Sequence, residues 1–396
     1  MIKDYALSIK KFSLKCEVFL LILFGLSVCI SESLSRNIVR IIFVMTAFKL
    51  FFNREVAVEL LKRYKNLLII ISAFAWWMII SSVYGGKLVS SEDSNVYWFF
   101  FSHNMLLFIP LILMIRRQKK SEKILIATGI SLLIDDIFII YQSAHEILRP
   151  ETFLGGSLMQ GTMIYVILLP MFFILSFEKC DDLRKKIFYR VTFLTSFVAF
   201  ILLNTRGAWL DIAFVLTLLL IYQIRNLKKI LTVTAVLALI AGILLTFSLG
   251  TSQRIKSITQ FYSEQSVTER FCMWKSAVNM IKDNPIMGVG LGNYEKQYQE
   301  KYILPEAKER QQTHAHNCYL QFWAETGIFG VILFCAIFFY ILVWSWERSG
   351  NLYGRILFFS TLSLMIYGIS DYTFSGYSAM RAYWFLFGVC VASLDR

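Results

Sequence analysis

Residues 320–344 read LQFWAETGIFGVILFCAIFFYILVW and contain a single charged side chain, that of Glu325. An α-helix rises about 1.5 Å per residue, so a run of this length covers the roughly 30 Å hydrocarbon core of a bilayer. Because no water is present there to bind exposed backbone groups, such a run crosses a membrane as a helix. The stretch therefore predicts a transmembrane helix.

Similar apolar runs recur along all 396 residues, of which 57% are hydrophobic and 17% charged. An ordinary soluble domain carries about 25% charged residues, so a cytosolic enzyme, a secreted disulfide scaffold and a disordered chain are excluded. The runs do not alternate with period two, which excludes an outer-membrane barrel. We predict an all-α polytopic membrane protein with about twelve transmembrane helices. The predicted spans are 16–30, 37–52, 67–84, 96–115, 124–141, 159–177, 187–203, 208–224, 230–249, 320–344, 356–369 and 382–394.

The net charge of +13 comes from basic clusters between the apolar runs, which argues against nucleic acid as a partner. One set of alternate loops holds 24 Lys and Arg residues, and the other set holds five when its one long loop is left out. Basic residues mark cytoplasmic loops, so we expect both termini in the cytoplasm and the long loop outside. The predicted division is 1–249 for spans one to nine, 250–319 for the outer loop and 320–396 for spans ten to twelve.

The outer loop is the one sizeable polar segment, and long loops in compact folds are usually functional. Ser266-Val-Thr-Glu269 resembles a capping box and predicts a helix to about Lys282. The three glycines at 288, 290 and 292 predict a flexible stretch, and a second short helix is expected over 295–301. Cys272 and Cys318 share this outer region and remain open to pairing in an oxidising compartment.

Motifs for nucleotides and metals are missing from the sequence. No His-Glu-x-x-His and no paired Cys-x-x-Cys occurs. The glycine run at 288–292 lacks the lysine and hydroxyl residue of a P-loop and follows a predicted helix instead of a strand. We therefore expect neither a cofactor nor a nucleotide.

The predicted outer face gathers cations. Arg206 lies in the hairpin 204–207, which is so tight that its flanking helices are expected to be neighbours. Arg270 shares a helical face with Trp274. His314 and His316 close the outer loop. Two guanidinium groups suit a ligand with phosphates, and histidine exchanges protons near neutral pH.

Each of these residues also has a structural interpretation. Arg206 alone fits a snorkelling anchor, and Arg270 fits a solvated helix face. The two histidines form a weak metal pair without a further ligand. Asp371, between the last two spans, fits an ion pair with Arg381.

Asp135 and Asp136 are adjacent within one predicted span. Acids inside a bilayer are functional by default, and transporters use them as proton relays. They equally fit a polar groove, and we leave them unassigned. Together with the many spans they favour a rival reading, a transporter for a lipid-linked sugar, whereas a structural scaffold would not need the clustered cations.

Three blocks of sequence resemble the O-antigen ligase and polymerase superfamily. They are Asn-Thr-Arg-Gly-Ala-Trp-Leu at 204–210, the pair 269–274 and 283–293, and His-Ala-His-Asn-Cys-Tyr-Leu-Gln-Phe-Trp-Ala-Glu-Thr-Gly at 314–327. The resemblance implies that Arg206 and Arg270 bind a donor diphosphate and that His316 is the catalytic histidine. His314, Asn317 and Asp371 are the further substrate-binding residues that it suggests.

Within this superfamily, a single large outer loop late in the chain resembles a ligase more than a polymerase, which often has two such loops. Protein O-glycosyltransferases tend to carry a longer C-terminal region. The ligase resemblance implies a glycan donor on undecaprenyl diphosphate, a lipid A-core acceptor and an inverting, metal-independent reaction. It places the chain among the lipids of the bacterial inner membrane with a periplasmic active site. Whether His316 is a general base or binds diphosphate as an imidazolium is left open.

Overall fold

A computed structural model describes residues 2–85, 104–115, 121–147, 150–154, 158–223 and 265–394, together with 231–232, 234–235 and 242. These residues are mainly helical and contain no β-strand, which confirms the all-α class. The helices are α1 (Ile2–Ser27), α2 (Glu32–Phe52), α3 (Arg54–Arg63), α4 (Lys65–Tyr84), α5 (Phe108–Ile115), α6 (Ser121–Ala144), α7 (Leu158–Phe177), α8 (Leu183–Leu202), α9 (Arg206–Gln223), α10 (Gln265–Asp283), α11 (Tyr294–Gln297), α12 (Cys318–Trp346), α13 (Leu352–Ser370) and α14 (Tyr377–Leu394).

Five of the described helices, α4, α6, α9, α12 and α13, are long and apolar enough to cross a membrane. A shorter apolar stretch, Gly161–Phe177, lies in α7. Apart from 230–249, nearly all of which lies outside the described residues, each predicted span overlaps a described helix. Residues 28–30 and 104–107, at the end of the first span and inside the fourth, are turns, and 96–103 lie outside the described residues. A membrane protein is thus supported, and the number twelve stays a prediction.

Two helices form the centre of the bundle. Side chains are buried along nearly the whole of α14 and along 161–176 of α7, as expected for helices that are apolar on every side. Both pack against α13, whose C-terminal end reaches the site described below. Large apolar side chains on other helices, such as Ile137, Leu210 and Phe339, are exposed, which suits contact with lipid.

Helix α3 lies between the second and third predicted spans, where the apolar runs predict no helix. It carries Arg54, Lys62 and Arg63, and Leu60 is its one buried side chain. A search for apolar runs misses a polar helix of this kind, although Glu, Ala, Leu and Lys are good helix formers.

Helix α12 is broken at Gly327, whose backbone has φ 69° and ψ −173°. A Cβ atom at this position would lie 1.8 Å from the carbonyl oxygen of Ile286, so only glycine fits. The chain after Pro285 packs directly against the break, because Ile328 N donates to the Pro285 carbonyl at 3.0 Å.

The glycine-containing stretch after Pro285 is held in place, and the prediction of a flexible segment was wrong. Val289 N donates to the carbonyl of Ala324 at 2.9 Å, and Gly290 N donates to that of Glu325 at 2.8 Å. The glycines allow the backbone to approach the opened end of α12 closely enough for these bonds.

Helix α10 and the short helix α11 confirm the two helices predicted in the outer loop. Met273, Met280, Tyr294 and Tyr298 form a small second core there. Glu269 does not cap α10: the helix already begins at Gln265, and the carboxylate accepts from the backbone N–H groups of 308 and 309 at 2.9 and 3.4 Å. It therefore fastens the end of the loop to α10.

Candidate active site

Arg206 is the half-buried first residue of α9. The turn before it is made by Asn204, whose φ of 61° lies in the left-handed region that asparagine tolerates well. The hydroxyl of Thr205 lies 3.0 Å from that of Thr162 on α7. Arg206 therefore adds its charge to a helix N-terminus, where exposed N–H groups favour anions.

The helices on either side of this turn separate, against our expectation that they would be neighbours. α8 packs against α6 and α7, whereas α9 packs mainly against α13. The turn therefore directs α9 towards the C-terminal end of α13.

Gly207 marks the meeting point of three elements. A Cβ atom there would lie 3.3 Å from Ser370 Oγ, at the end of α13, and 3.7 Å from Arg270 Nη1, on α10. A side chain at this position would crowd the Ser370 hydroxyl and touch the guanidinium group. Arg270 is half-buried and has no hydrogen-bond or ion-pair partner within the described parts of the chain.

His316 and Asp371 form a hydrogen-bonded pair, with 2.9 Å between Nδ1 and Oδ1. Tyr367 donates its hydroxyl to Oδ2 of the same carboxylate at 2.8 Å, and Tyr372 N donates to Oδ1 at 2.8 Å. Burial alone would raise the pKa of Asp371, but the hydrogen bond and charge of His316, helped by the two tyrosine donors, hold that pKa below its ordinary value.

Because Nδ1 of His316 faces Asp371, Nε2 is the ring nitrogen left for a ligand, and it has no partner among the residues described. The backbone of His316 is left-handed, with φ 47°. Non-glycine residues held in this conformation are concentrated at functional sites. A carboxylate that orients an imidazole in this way prepares it to act as a general base.

His314 lies against His316, with 4.3 Å between the ring centroids. Burial, together with the like charge of His316, lowers the pKa of His314 to about 4, so the ring is neutral near pH 7. Thr313 Oγ1 lies 2.7 Å from its Nδ1, while its buried Nε2 has no hydrogen-bond partner in the described chain. This nitrogen is suited to meet a hydroxyl group of a ligand.

His314, His316 and Asp371 offer ligand atoms within 4.8 Å of one another, a spacing that would accommodate a metal ion. In the arrangement observed, however, His316 and Asp371 bond to each other, and Tyr367 holds the second carboxylate oxygen. The donor set matches an oriented histidine better than a metal centre. Metal independence stays a prediction.

Asn317 has both polar atoms of its side chain engaged. Its Oδ1 accepts from Tyr319 N at 3.0 Å and Leu320 N at 2.9 Å, which makes it the N-cap of α12. Its Nδ2 donates to the Ile369 carbonyl at 2.9 Å. The amide fixes α12 to the end of α13, so it positions His316; direct substrate binding stays a prediction.

The alternative pairing of Asp371 with Arg381 was wrong. Helix α14 carries Arg381 to α2, where the buried guanidinium donates to Ser35 Oγ at 2.8 Å and to the Glu32 carbonyl at 3.4 Å. The partner of Asp371 is therefore His316 and not Arg381.

Cys272 and Cys318, whose pairing the sequence left open, are free and buried in the structure. Cys318 begins α12, and its sulfur lies 3.4 Å from the hydroxyl of Thr373.

Sequence reasoning missed Tyr367, Ser370 and Asp211. Ser370 Oγ donates to Asp211 Oδ2 at 2.8 Å. A signal for Asp211 was present, because it is the one acid in the apolar run of α9. Tyrosine and serine at a helix end carry no such signal.

Asp135 and Asp136 belong to a separate network of hydroxyl groups. Tyr165 OH lies 3.1 Å from Asp135 Oδ2 and 2.9 Å from Asp136 Oδ1, and Ser196 donates to Asp136 Oδ2 at 2.7 Å. Phe153 N donates to Asp135 at 2.7 Å. These bonds join α6, α7 and α8 and give both buried acids a structural role.

Two comparisons with known proteins bear on the site. Residues 191–335 match the family described as O-antigen ligase, and this region includes Arg206, Arg270, His314 and His316 but not Asp371. An uncharacterised protein of Haemophilus influenzae is 26% identical over 179 residues, which cover 40% of this chain. The match spans 44% of that relative's length. The similarity to the O-antigen ligase family thus lies in residues 191–335, which contain both arginines and both histidines of the site.

Proposed function

We propose that the protein is an O-antigen ligase, which transfers a glycan from undecaprenyl diphosphate to a sugar hydroxyl of lipid A-core. The observation that carries this proposal is the convergence of Arg270 with the His316–Asp371 pair, in a chain whose residues 191–335 match the O-antigen ligase family. A lipid-linked donor needs cations for its leaving group, and the acceptor hydroxyl needs a base.

The arginines suit the leaving diphosphate. A guanidinium group has five N–H donors that match phosphate oxygens, and those of Arg270 are uncommitted within the described residues. Arg206 adds its charge at the N-terminus of α9. Preorganised donors aimed at developing negative charge contribute about 3–4 kcal/mol each to transition-state stabilisation.

His316 would act as the general base. Asp371 keeps the proton on Nδ1, and Nε2 accepts the proton of the acceptor hydroxyl as its oxygen attacks the anomeric carbon. The bond between that carbon and the diphosphate oxygen breaks, and the diphosphate leaves with the electron pair. In-line attack inverts the anomeric centre. The neutral His314 would bind an acceptor hydroxyl through Nε2.

The membrane arrangement is part of the proposal. The basic clusters favour the bacterial inner membrane with both termini cytoplasmic and the site on the periplasmic side. The glycan is already activated on its lipid, so neither a nucleotide nor a metal is required.

The test is transfer by purified protein in detergent, supplied with undecaprenyl-diphosphate glycan, lipid A-core and a chelator. We expect glycan to appear on lipid A-core with the wild type and with Arg310→Ala, an exposed arginine of the same loop. Arg206→Ala and Arg270→Ala should lower transfer by at least about 10²-fold at unchanged protein level. Cleavage of the bond between the glycan and the diphosphate is measured on the same samples.

Other outcomes of this experiment would support an alternative function. Longer lipid-linked glycan beside untouched lipid A-core would identify a polymerase. An intact donor without covalent product would favour a transporter, and normal transfer by either arginine variant would remove the diphosphate assignment.

A further inference from the structure

Asp211 places a negative charge next to the cationic part of the site. It lies one helical turn after Gly207 on α9, so both residues face the same neighbours. An acid in an apolar span is costly to keep, and such residues are usually retained for a function. A carboxylate beside a diphosphate site also repels the ligand, so the position of Asp211 calls for an explanation.

The carboxylate is tied to the end of α13. Ser370 Oγ donates to Asp211 Oδ2 at 2.8 Å, and the same hydroxyl lies 3.2 Å from the carbonyl of Tyr367. The hydroxyl has one proton, and the shorter contact to a charged acceptor is the stronger one. Ser370 directly precedes Asp371 in the sequence.

Arg270 is close to this pair without being bonded to it. Its Nη1 and Ser370 Oγ both border the vacant side-chain position of Gly207, at 3.7 and 3.3 Å. The charge of Arg270 acts on Asp211. Nevertheless, neither a hydrogen bond nor an ion pair within 4.0 Å joins them in the described parts of the chain.

We propose that Asp211 and Ser370 are positioning residues for Arg270: the carboxylate holds the guanidinium over Gly207 by charge, while the serine hydroxyl keeps that carboxylate from closing a direct ion pair. The inference rests on the proposed function, in which Arg270 binds the donor diphosphate. A direct pair with Asp211 would occupy the N–H groups that the diphosphate needs. Ser370 therefore keeps the anion site open.

The test compares Ser370→Ala, Ser370→Thr, Asp211→Asn and the double variant Ser370→Ala/Asp211→Asn. The affinity for undecaprenyl-diphosphate glycan is measured on full-length protein in detergent, together with KM and kcat of transfer. In Ser370→Ala the released carboxylate should pair with Arg270 and weaken donor affinity by at least about fivefold. Ser370→Thr keeps the hydroxyl and should bind donor like the wild type.

The double variant separates this mechanism from a structural defect. Asparagine cannot form the ion pair, so adding Asp211→Asn to Ser370→Ala should restore donor affinity to near that of the wild type. A structural fault at the end of α13 would not be repaired by a change on α9. Equal thermal stability of the variants is checked alongside.

The inference is overturned if Ser370→Ala leaves donor affinity unchanged, or if the double variant binds donor as weakly as Ser370→Ala does. In either case the proposed function stands as long as Arg270→Ala fails to bind donor. If Arg270→Ala binds donor like the wild type, the diphosphate assignment and this inference fall together.

Discussion

Asp371 decides at the residue scale what His316 can do, because its carboxylate takes Nδ1 and leaves Nε2 for the ligand. The resemblance of the motifs indicated His316 and Arg270 from the sequence alone. The partner of Asp371 was not predictable, because the choice between His316 and Arg381 depends on which helices adjoin. Linear spacing does not contain that information, and the same is true of Ser370.

The second histidine of the site gives a prediction on acid stability. The unfolded chain protonates His314 near its ordinary pKa of 6.5, whereas the folded protein keeps it neutral down to a pKa of about 4. The stability associated with the neutral ring is present above pH 6.5 and is lost as the pH falls towards 4. When the pH is lowered from about 7 to about 5, the Tm of His314→Gln should therefore fall by less than the Tm of the wild type.

Thermal unfolding in detergent measures this slope, and His145→Gln, at an exposed position near the end of α6, is the matched control. A wild-type slope in His314→Gln would contradict the assignment of a buried neutral imidazole.

The break in α12 is what brings the site together at the scale of secondary structure. It turns backbone groups of one helix into bonding partners for 285–290 and so fixes the loop that follows α10. Apolar periodicity predicted both α10 and α12. It missed the break, because a glycine in an apolar run can equally allow two helices to pack closely, and the sequence does not distinguish the two cases. It missed α3 for lack of apolar residues.

A substitution at the break tests this description. The Cβ of Gly327→Ala would meet the Ile286 carbonyl at 1.8 Å, and the left-handed backbone adds strain, so the loop should detach from α12. We expect faster proteolysis within 285–310 and loss of transfer. Gly350→Ala, where a Cβ has no neighbour within 4 Å, is the control. Wild-type proteolysis and transfer in Gly327→Ala would show that the break is dispensable.

At the scale of the whole molecule, the chain is a helical membrane protein whose charge distribution predicts an orientation. The class was predictable from composition, because so few charges cannot cover the surface of a soluble chain of this size. The number of spans was not, because several helices are shorter or more polar than a simple bilayer crossing, and helix length alone does not define a crossing.

Reporter fusions test the orientation. Alkaline phosphatase joined within 300–310 should be active, because the outer loop is expected in the periplasm, and a green fluorescent protein at the C-terminus should fluoresce in the cytoplasm. The opposite pattern would place the His316 site on the cytoplasmic side and contradict the proposed donor.

The most direct test of the central claim measures donor affinity and transfer rate side by side for His316→Ala, with His145→Ala as control. General-base catalysis predicts donor affinity close to that of the wild type and a transfer rate lower by about 10²–10⁴-fold. Loss of affinity in proportion to rate would mean that His316 binds the diphosphate instead. An unchanged rate would contradict the assignment of this site to glycosyl transfer.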